Sequence, residues 1–190
     1  MSNRKRMFAA LIAAVSAPAP ALAENYTLDV DHTYPSLEFS HMGLSIWRGK
    51  FNKTTGKITL DRAARTGSAD IQVDAASIDF GHDKMNEHAI GADWLNVGKF
   101  PTMTYQGTIK FKGGTPASVD GQLTLLGVTK PLKLKINSFN CIHHPFYKKE
   151  ACGADAEGEL NRADFGMTRY AEGEAGKVRL RIQVEALKVD

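Results

Sequence analysis

Strict alternation of apolar and polar residues constrains the fold of this chain more than any other feature. Leu37, Phe39 and His41 fall on one side of a strand, with Glu38 and Ser40 on the other; Ala69, Ile71 and Val73 alternate with Asp70, Gln72 and Asp74. The pattern returns at Met103, Tyr105, Ile109 and Phe111, at Leu132, Leu134 and Ile136, and at Val178, Leu180, Ile182 and Val184. A period of two with charged outer positions means half-buried antiparallel strands, apolar inward. Further strands near 26–31, 57–61, 118–125 and 154–162 bring the expected number to about eight to ten. Turns are expected at Thr54-Thr55-Gly56, Arg65-Thr66-Gly67, Lys112-Gly113-Gly114-Thr115-Pro116, Glu172-Gly173-Glu174 and Ala175-Gly176. One helical window runs from Asp83 to Ala92, with Asp83 as its expected N-cap and Met85 and Ala89 on one face. Such a chain forms either a packed β-sandwich or a closed barrel, and alternation alone does not separate the two.

The N-terminus carries Arg4, Lys5 and Arg6, then an apolar stretch from Met7 to Val15, then a run of small residues ending at Ala23. That order is the pattern of a cleavable export signal. The apolar stretch falls short of the ~20 residues a membrane anchor needs. The expected organisation is a signal peptide over 1–23 and one β-domain over 24–190, acting in the periplasm or secreted after cleavage following Ala23. The three basic residues of the leader account for the whole excess of 24 Lys and Arg over 21 Asp and Glu. The remaining domain is neutral and lacks the footprint of a nucleic-acid binder. In an oxidising compartment Cys141 and Cys152 are expected to form a structural disulfide, contributing roughly 3 kcal/mol by restricting the unfolded chain. Their spacing is far from Cys-x-x-Cys, which argues against a redox-active pair.

Catalytic chemistry is thin. The six histidines, His32, His41, His82, His88, His143 and His144, show none of the spacings of common zinc sites, so no metal is expected. There is no nucleophile elbow, phosphate loop or dinucleotide fingerprint, and no residue is singled out as catalytic. In Leu160-Asn161-Arg162-Ala163-Asp164-Phe165-Gly166-Met167, a strand end would place Arg162 and Asp164 on one face. Phe165 and Met167 would then point into the core, with Gly166 at a bulge.

Several strings in fixed order carry a family resemblance. They are Asp31-His32 with Leu37-Glu38-Phe39-Ser40-His41, Gly49-Lys50-Phe51 leading to Gly56-Lys57-Ile58, and Ala76-Ser77-Ile78. Asp93-Trp94-Leu95-Asn96-Val97-Gly98-Lys99-Phe100-Pro101 follows, then Gly121 to Pro131 with Leu-Thr-Leu-Leu-Gly-Val-Thr-Lys-Pro, then Asn161 to Met167. From about Tyr26 to Ala186 the chain resembles the YceI-like family of exported bacterial proteins. One departure stands out: where that family often has an Arg-Asp pair ahead of His-Leu in the short helix, this chain reads Lys84-Met85-Asn86-Glu87-His88-Ala89.

The resemblance implies an all-β, lipocalin-like antiparallel barrel of about eight strands with one short helix. Its apolar interior would hold an isoprenoid or similar amphiphilic lipid, such as a prenyl quinone, as ligand rather than cofactor. It implies binding, storage or transport without catalysis, transient contact with a membrane or membrane protein for lipid exchange, and a family in which homodimers occur. The expected lining is Phe39, His41, Ile71, Val73, Met103, Tyr105, Leu123, Leu125, Leu134, Ile136, Phe165 and Met167, with Trp47, Trp94 and Phe100 at the mouth. An apolar lining and a filled core read alike in sequence. Two rival readings therefore stand: an enzyme acting on such a lipid through His41 or Asp164, and a stress-related interaction protein with a packed core.

Overall fold

A computed structural model describes residues 23–189. The expected export signal lies outside the described residues, apart from Ala23. The strands are β1 Glu24–Leu28, β2 Tyr34–His41, β3 Ser45–Phe51, β4 Thr54–Asp61, β5 Thr66–Asp74, β6 Ile78–Asp79, β7 Thr102–Lys112, β8 Thr115–Leu125, β9 Val128–His143, β10 Glu150–Asn161 and β11 Lys177–Lys188. Among the described residues one α-helix, α1, spans Asp83–Ile90. Eight strands close a barrel in the order β1-β4-β5-β7-β8-β9-β10-β11, with β11 returning to β1. Every pairing is antiparallel, so the sandwich alternative is excluded by closure itself.

β11 serves two neighbours on one edge. Its end, Ala186–Lys188, pairs with β1, while Arg179–Gln183 pairs with β2. The β2–β3–β6 ribbon therefore extends the wall beyond the closed ring at one end, and α1 follows directly from β6. Helix, ribbon and the loop after β10 gather at that end.

The two-residue turn Gly113-Gly114 has positive φ at both positions (61° and 89°), the geometry whose twist matches its flanking strands. Leu126-Gly127 makes a similar turn between β8 and β9 (53° and 73°), a hairpin the sequence reading does not anticipate. Thr54-Thr55-Gly56 is a correction: these residues lie inside β4, and the chain reverses ahead of them at Asn52-Lys53. A Cβ on Gly56 would meet the Asp70 carbonyl oxygen at 2.5 Å, so this glycine serves close strand contact. The helix ends at Ile90 rather than Ala92, where the Gly91 N–H bonds the His88 carbonyl. His82, not Asp83, occupies the N-cap position; Asp83 is the first helical residue, where its charge complements the helix dipole.

Apolar side chains form two groups stacked along the barrel axis. Tyr26, Leu28, Leu60, Ile109, Val119, Leu132, Leu134 and Cys152 belong to the first. Phe51, Val73, Ile78, Met103, Leu125, Phe165 and Met167 belong to the second, beside helix and ribbon.

Candidate functional site

The inward faces of the barrel strands do not meet. They surround a cavity of about 910 Å³ that reaches from Tyr26 and Cys152 at one end to Met42, His88, Trp94 and Tyr170 at the other. This is near the top of the ~300–1,000 Å³ range of small-molecule sites. The exposed residues of its lining, Met42, His88, Tyr170 and Glu172, all lie on the ribbon, the helix and the loop after β10. That end is the mouth.

The opposite end is shut by Tyr26, only 1% exposed. Its hydroxyl lies within hydrogen-bond reach of the Glu24 and Glu150 carboxylates. Arg62 bridges both carboxylates, and Lys188 pairs with Glu24. The Lys188 ammonium, helped by Arg62 and Tyr26 and opposed by burial, holds Glu24 down at about 2. Burial, reinforced by the neighbouring carboxylates, pushes the Tyr26 phenol well above its ordinary range. Next to this plug, Cys141 and Cys152 face each other across β9 and β10 and are joined by a disulfide.

Midway, Tyr105 lies against the wall over Gly121 and reaches the Val119 and Leu132 carbonyls with its hydroxyl, so its polar end is satisfied within the wall. At the mouth, His41 stacks on Trp47 with centroids 4.1 Å apart, and Phe39, Trp47 and Phe80 complete an aromatic cluster. Trp94, carried by the loop after α1, lies beneath the Arg162 guanidinium at 4.9 Å and beside His88. Among the described residues two buried side-chain polar atoms lack a partner, Thr54 Oγ1 and Trp94 Nε1, and both residues line the cavity.

Relatives of this barrel are found by sequence and by shape. A family model described as "YceI-like domain" matches residues 26–186. The chain belongs to the YceI-like family. A UPF0312 protein from Shewanella oneidensis is 31% identical over 190 residues, covering 97% of this chain and 99% of its own. Among solved structures, Burkholderia cenocepacia BcnA is similar at a TM-score of 0.67 and 21% identity, covering 83% of this chain and 98% of BcnA. A domain from Saccharophagus degradans, described as polyisoprenoid binding and implicated in plant cell wall breakdown, matches at a TM-score of 0.59 and 13% identity, over 86% of this chain and 98% of its own. At these identities the two structures speak for the fold alone.

Within this YceI-like barrel the structure gathers most of the residues expected to line it. Phe39, His41, Trp47, Ile71, Val73, Trp94, Met103, Tyr105, Leu123, Leu125, Leu134, Ile136 and Met167 all contribute to the cavity wall. Phe100 and Phe165 do not. Phe100 packs over Gly127, where a Cβ would come within 2.9 Å of its ring, and Phe165 is buried at 3% in the upper apolar group. The segment after β10 is a further correction. Arg162–Phe165 forms a 3-10 turn capped by the Asn161 side chain, with Gly166 left-handed at its end. Strand alternation stops there, so Arg162 is buried while Asp164 faces solvent, away from the cavity.

Sequence reading missed Phe80, Met85, His88, Leu95, Arg162 and Tyr170 in the wall. Met85 carried a signal, being on the apolar helix face; the others sit on segments brought in by tertiary folding. The cysteine and histidine positions add little ligand chemistry. Asp29, His32 and Glu185 bring ligand atoms within 4.8 Å of one another, but Asp29 already accepts from the His32 ring and the Asp31 N–H. This is a hydrogen-bonded turn between β1 and β2.

Proposed function

We propose that this protein binds an isoprenoid or a similar single-chain amphiphilic lipid in its barrel, and stores or carries it in the periplasm. One observation carries the reading: a continuous, overwhelmingly apolar cavity closed by Tyr26 at one end and open at the other. The polyisoprenoid-binding description of the Saccharophagus degradans domain supports the same class of ligand. The basic and apolar leader of residues 1–23 supports export.

The energetics favour a long tail. Burying hydrocarbon gains about 0.8 kcal/mol per CH₂, so a ~5-carbon isoprene unit contributes roughly 3–4 kcal/mol gross. Three units gain on the order of 10 kcal/mol, comparable to the ~4–15 kcal/mol cost of association. Shape sets the direction of entry: the tail points to Tyr26 and the polar head stays at the mouth.

Exchange would occur where the rim is greasy. Met42 and Leu44, at the tip of the β2–β3 ribbon, are 79% and 81% exposed, and Tyr170 stands on the same rim. Exposed apolar side chains bordering an apolar cavity suit contact with a bilayer from which a lipid is drawn. The test is titration of delipidated protein with a prenyl quinone, followed by the fluorescence of Trp47 and Trp94. Saturable binding with a change in indole emission is expected; absence of uptake by competent, folded protein contradicts the reading.

A further inference from the structure

We propose that the loop between β9 and β10 is a docking surface of its own, at the closed end of the barrel, and that its partner is an anionic lipid bilayer. The inference is independent of what the cavity holds.

The place of the loop follows from strand register. His143 pairs with Glu150, and Glu150 is one of the two carboxylates on the Tyr26 plug. Between them runs His144-Pro145-Phe146-Tyr147-Lys148-Lys149. None of these six residues contributes to the cavity wall. Phe146 is 85% exposed, and Ile142 and Tyr147 are exposed with it.

The loop is braced by its own bonding. His144 Nδ1 accepts from the Phe146 and Tyr147 main-chain N–H groups at 3.2 and 3.3 Å. The His144 ring packs on Tyr147 with centroids 4.5 Å apart and meets Phe146 at 5.8 Å. Main-chain bonds from Lys148 to His144 and from His144 to Lys149 close the turn. A phenylalanine presented this way keeps most of its apolar surface in water, which a partner would remove.

Charge identifies the partner. From Ile142 to Lys149 the sequence holds two lysines and no acid. Among the described residues neither Lys148 nor Lys149 has a carboxylate within ion-pair distance. The β4–β5 and β7–β8 hairpins turn at the same end and bring Arg65, Lys110 and Lys112, which also lack such pairs. The 2.9 Å bridge from Arg62 to Glu150 ties the first of these turns to the foot of the loop. Several acids of this end are already engaged: Glu24 and Glu150 with Arg62, Asp61 with the Ala64 N–H, and buried Asp29 with His32. Asp31 and Glu185 remain near Tyr147 as exposed carboxylates.

Aromatic rings beside basic side chains suit the headgroup region of an anionic bilayer. The apolar part is a loop tip, too narrow for the ~800 Å² per partner of a stable protein interface. Docking by this loop leaves Met42 and Leu44 of the mouth rim available to a second surface.

The test is co-sedimentation of the purified protein with vesicles of phosphatidylcholine alone or mixed with phosphatidylglycerol. At low salt the wild type is expected to bind the mixed vesicles about tenfold or more tighter than the neutral ones, and high salt should remove the difference. Lys148 has a positive φ of 55°, so asparagine is the replacement its backbone tolerates. Lys148→Asn with Lys149→Gln should lower binding to mixed vesicles about tenfold. Phe146→Ser should lower it several-fold, while Phe146→Trp keeps it. Uptake of prenyl quinone should stay as in the wild type for every variant, since these side chains lie outside the cavity wall. Equal binding of the wild type to both vesicles, or wild-type binding by Phe146→Ser and the double lysine variant, overturns the proposal. Self-association that depends on Phe146, with no vesicle binding, assigns the loop to a second copy of the chain and overturns it too.

Discussion

Tyr105 lays its ring where a side chain on Gly121 would be: a Cβ there would fall 2.3 Å from the Tyr105 Cζ. The missing side chain in β8 lets a bulky phenol from β7 lie flat against the wall and bond the Val119 and Leu132 carbonyls. Gly121→Ala is therefore expected to cost about 1–3 kcal/mol by overpacking. Chemical denaturation of the two proteins checks this; an unchanged midpoint would mean that the ring moves freely.

The plug at the closed end makes stability depend on pH. Glu24 titrates at about 2 in the folded protein, below its ordinary value of 4.5. A depressed carboxylate contributes stability that is fully present above its unfolded pKa and is lost as pH falls through its folded pKa. Its contribution should therefore decline between pH 4.5 and about 2. Glu24→Gln should lower stability at pH 7 by roughly 1–3 kcal/mol, the range for losing charged hydrogen bonds. The difference between the two proteins should shrink toward acid, as read by urea midpoints across that window.

The Cys141–Cys152 bond staples β9 to β10 beside the same plug. Reduction, or the Cys141→Ser/Cys152→Ser double variant, should lower stability by about 2–3 kcal/mol. For a domain of this size that is a fall of roughly 4–12 °C in Tm. Differential scanning calorimetry with and without reductant measures it.

Ala156 is buried in the wall of the lower cavity, where extra volume competes with a long tail. Ala156→Leu is expected to weaken binding of a ~40-carbon prenyl chain while sparing a ~15-carbon one, since each displaced CH₂ forfeits about 0.8 kcal/mol. Parallel titration with the two chain lengths gives the readout, and equal loss for both would argue that tails do not reach this depth.

At the rim, Leu44→Glu places a charge on the exposed ribbon tip, outside the cavity lining. Transfer of a prenyl lipid from vesicles should slow several-fold while equilibrium affinity for the soluble short-chain ligand stays unchanged. Stopped-flow transfer assays separate the two quantities.

Much of the barrel wall is legible in the sequence because strands write their facing at every second residue. Ile71, Val73, Met103, Leu123, Leu134 and Ile136 could be placed inward from period alone, and all six line the cavity. Period could not reveal whether those faces meet or stand apart, since a packed core and a lined cavity use the same side chains. The rule also fails where the chain leaves the strand. After Asn161 the backbone enters a 3-10 turn, so Arg162 turns inward, Asp164 outward, and Phe165 packs behind the wall. His88 and Tyr170 reach the mouth from the helix and a loop, which no local pattern anticipates.

The central claim is that the cavity carries a prenyl-type chain. The most direct measurement is mass spectrometry of the solvent extract of protein purified from its native compartment. The account predicts one lipid class with a long isoprenoid or comparable single chain, near one molecule per barrel, and displaced when Ala156→Leu shortens the cavity. Repeated recovery of protein with no lipid, together with no uptake of prenyl quinone, would contradict it.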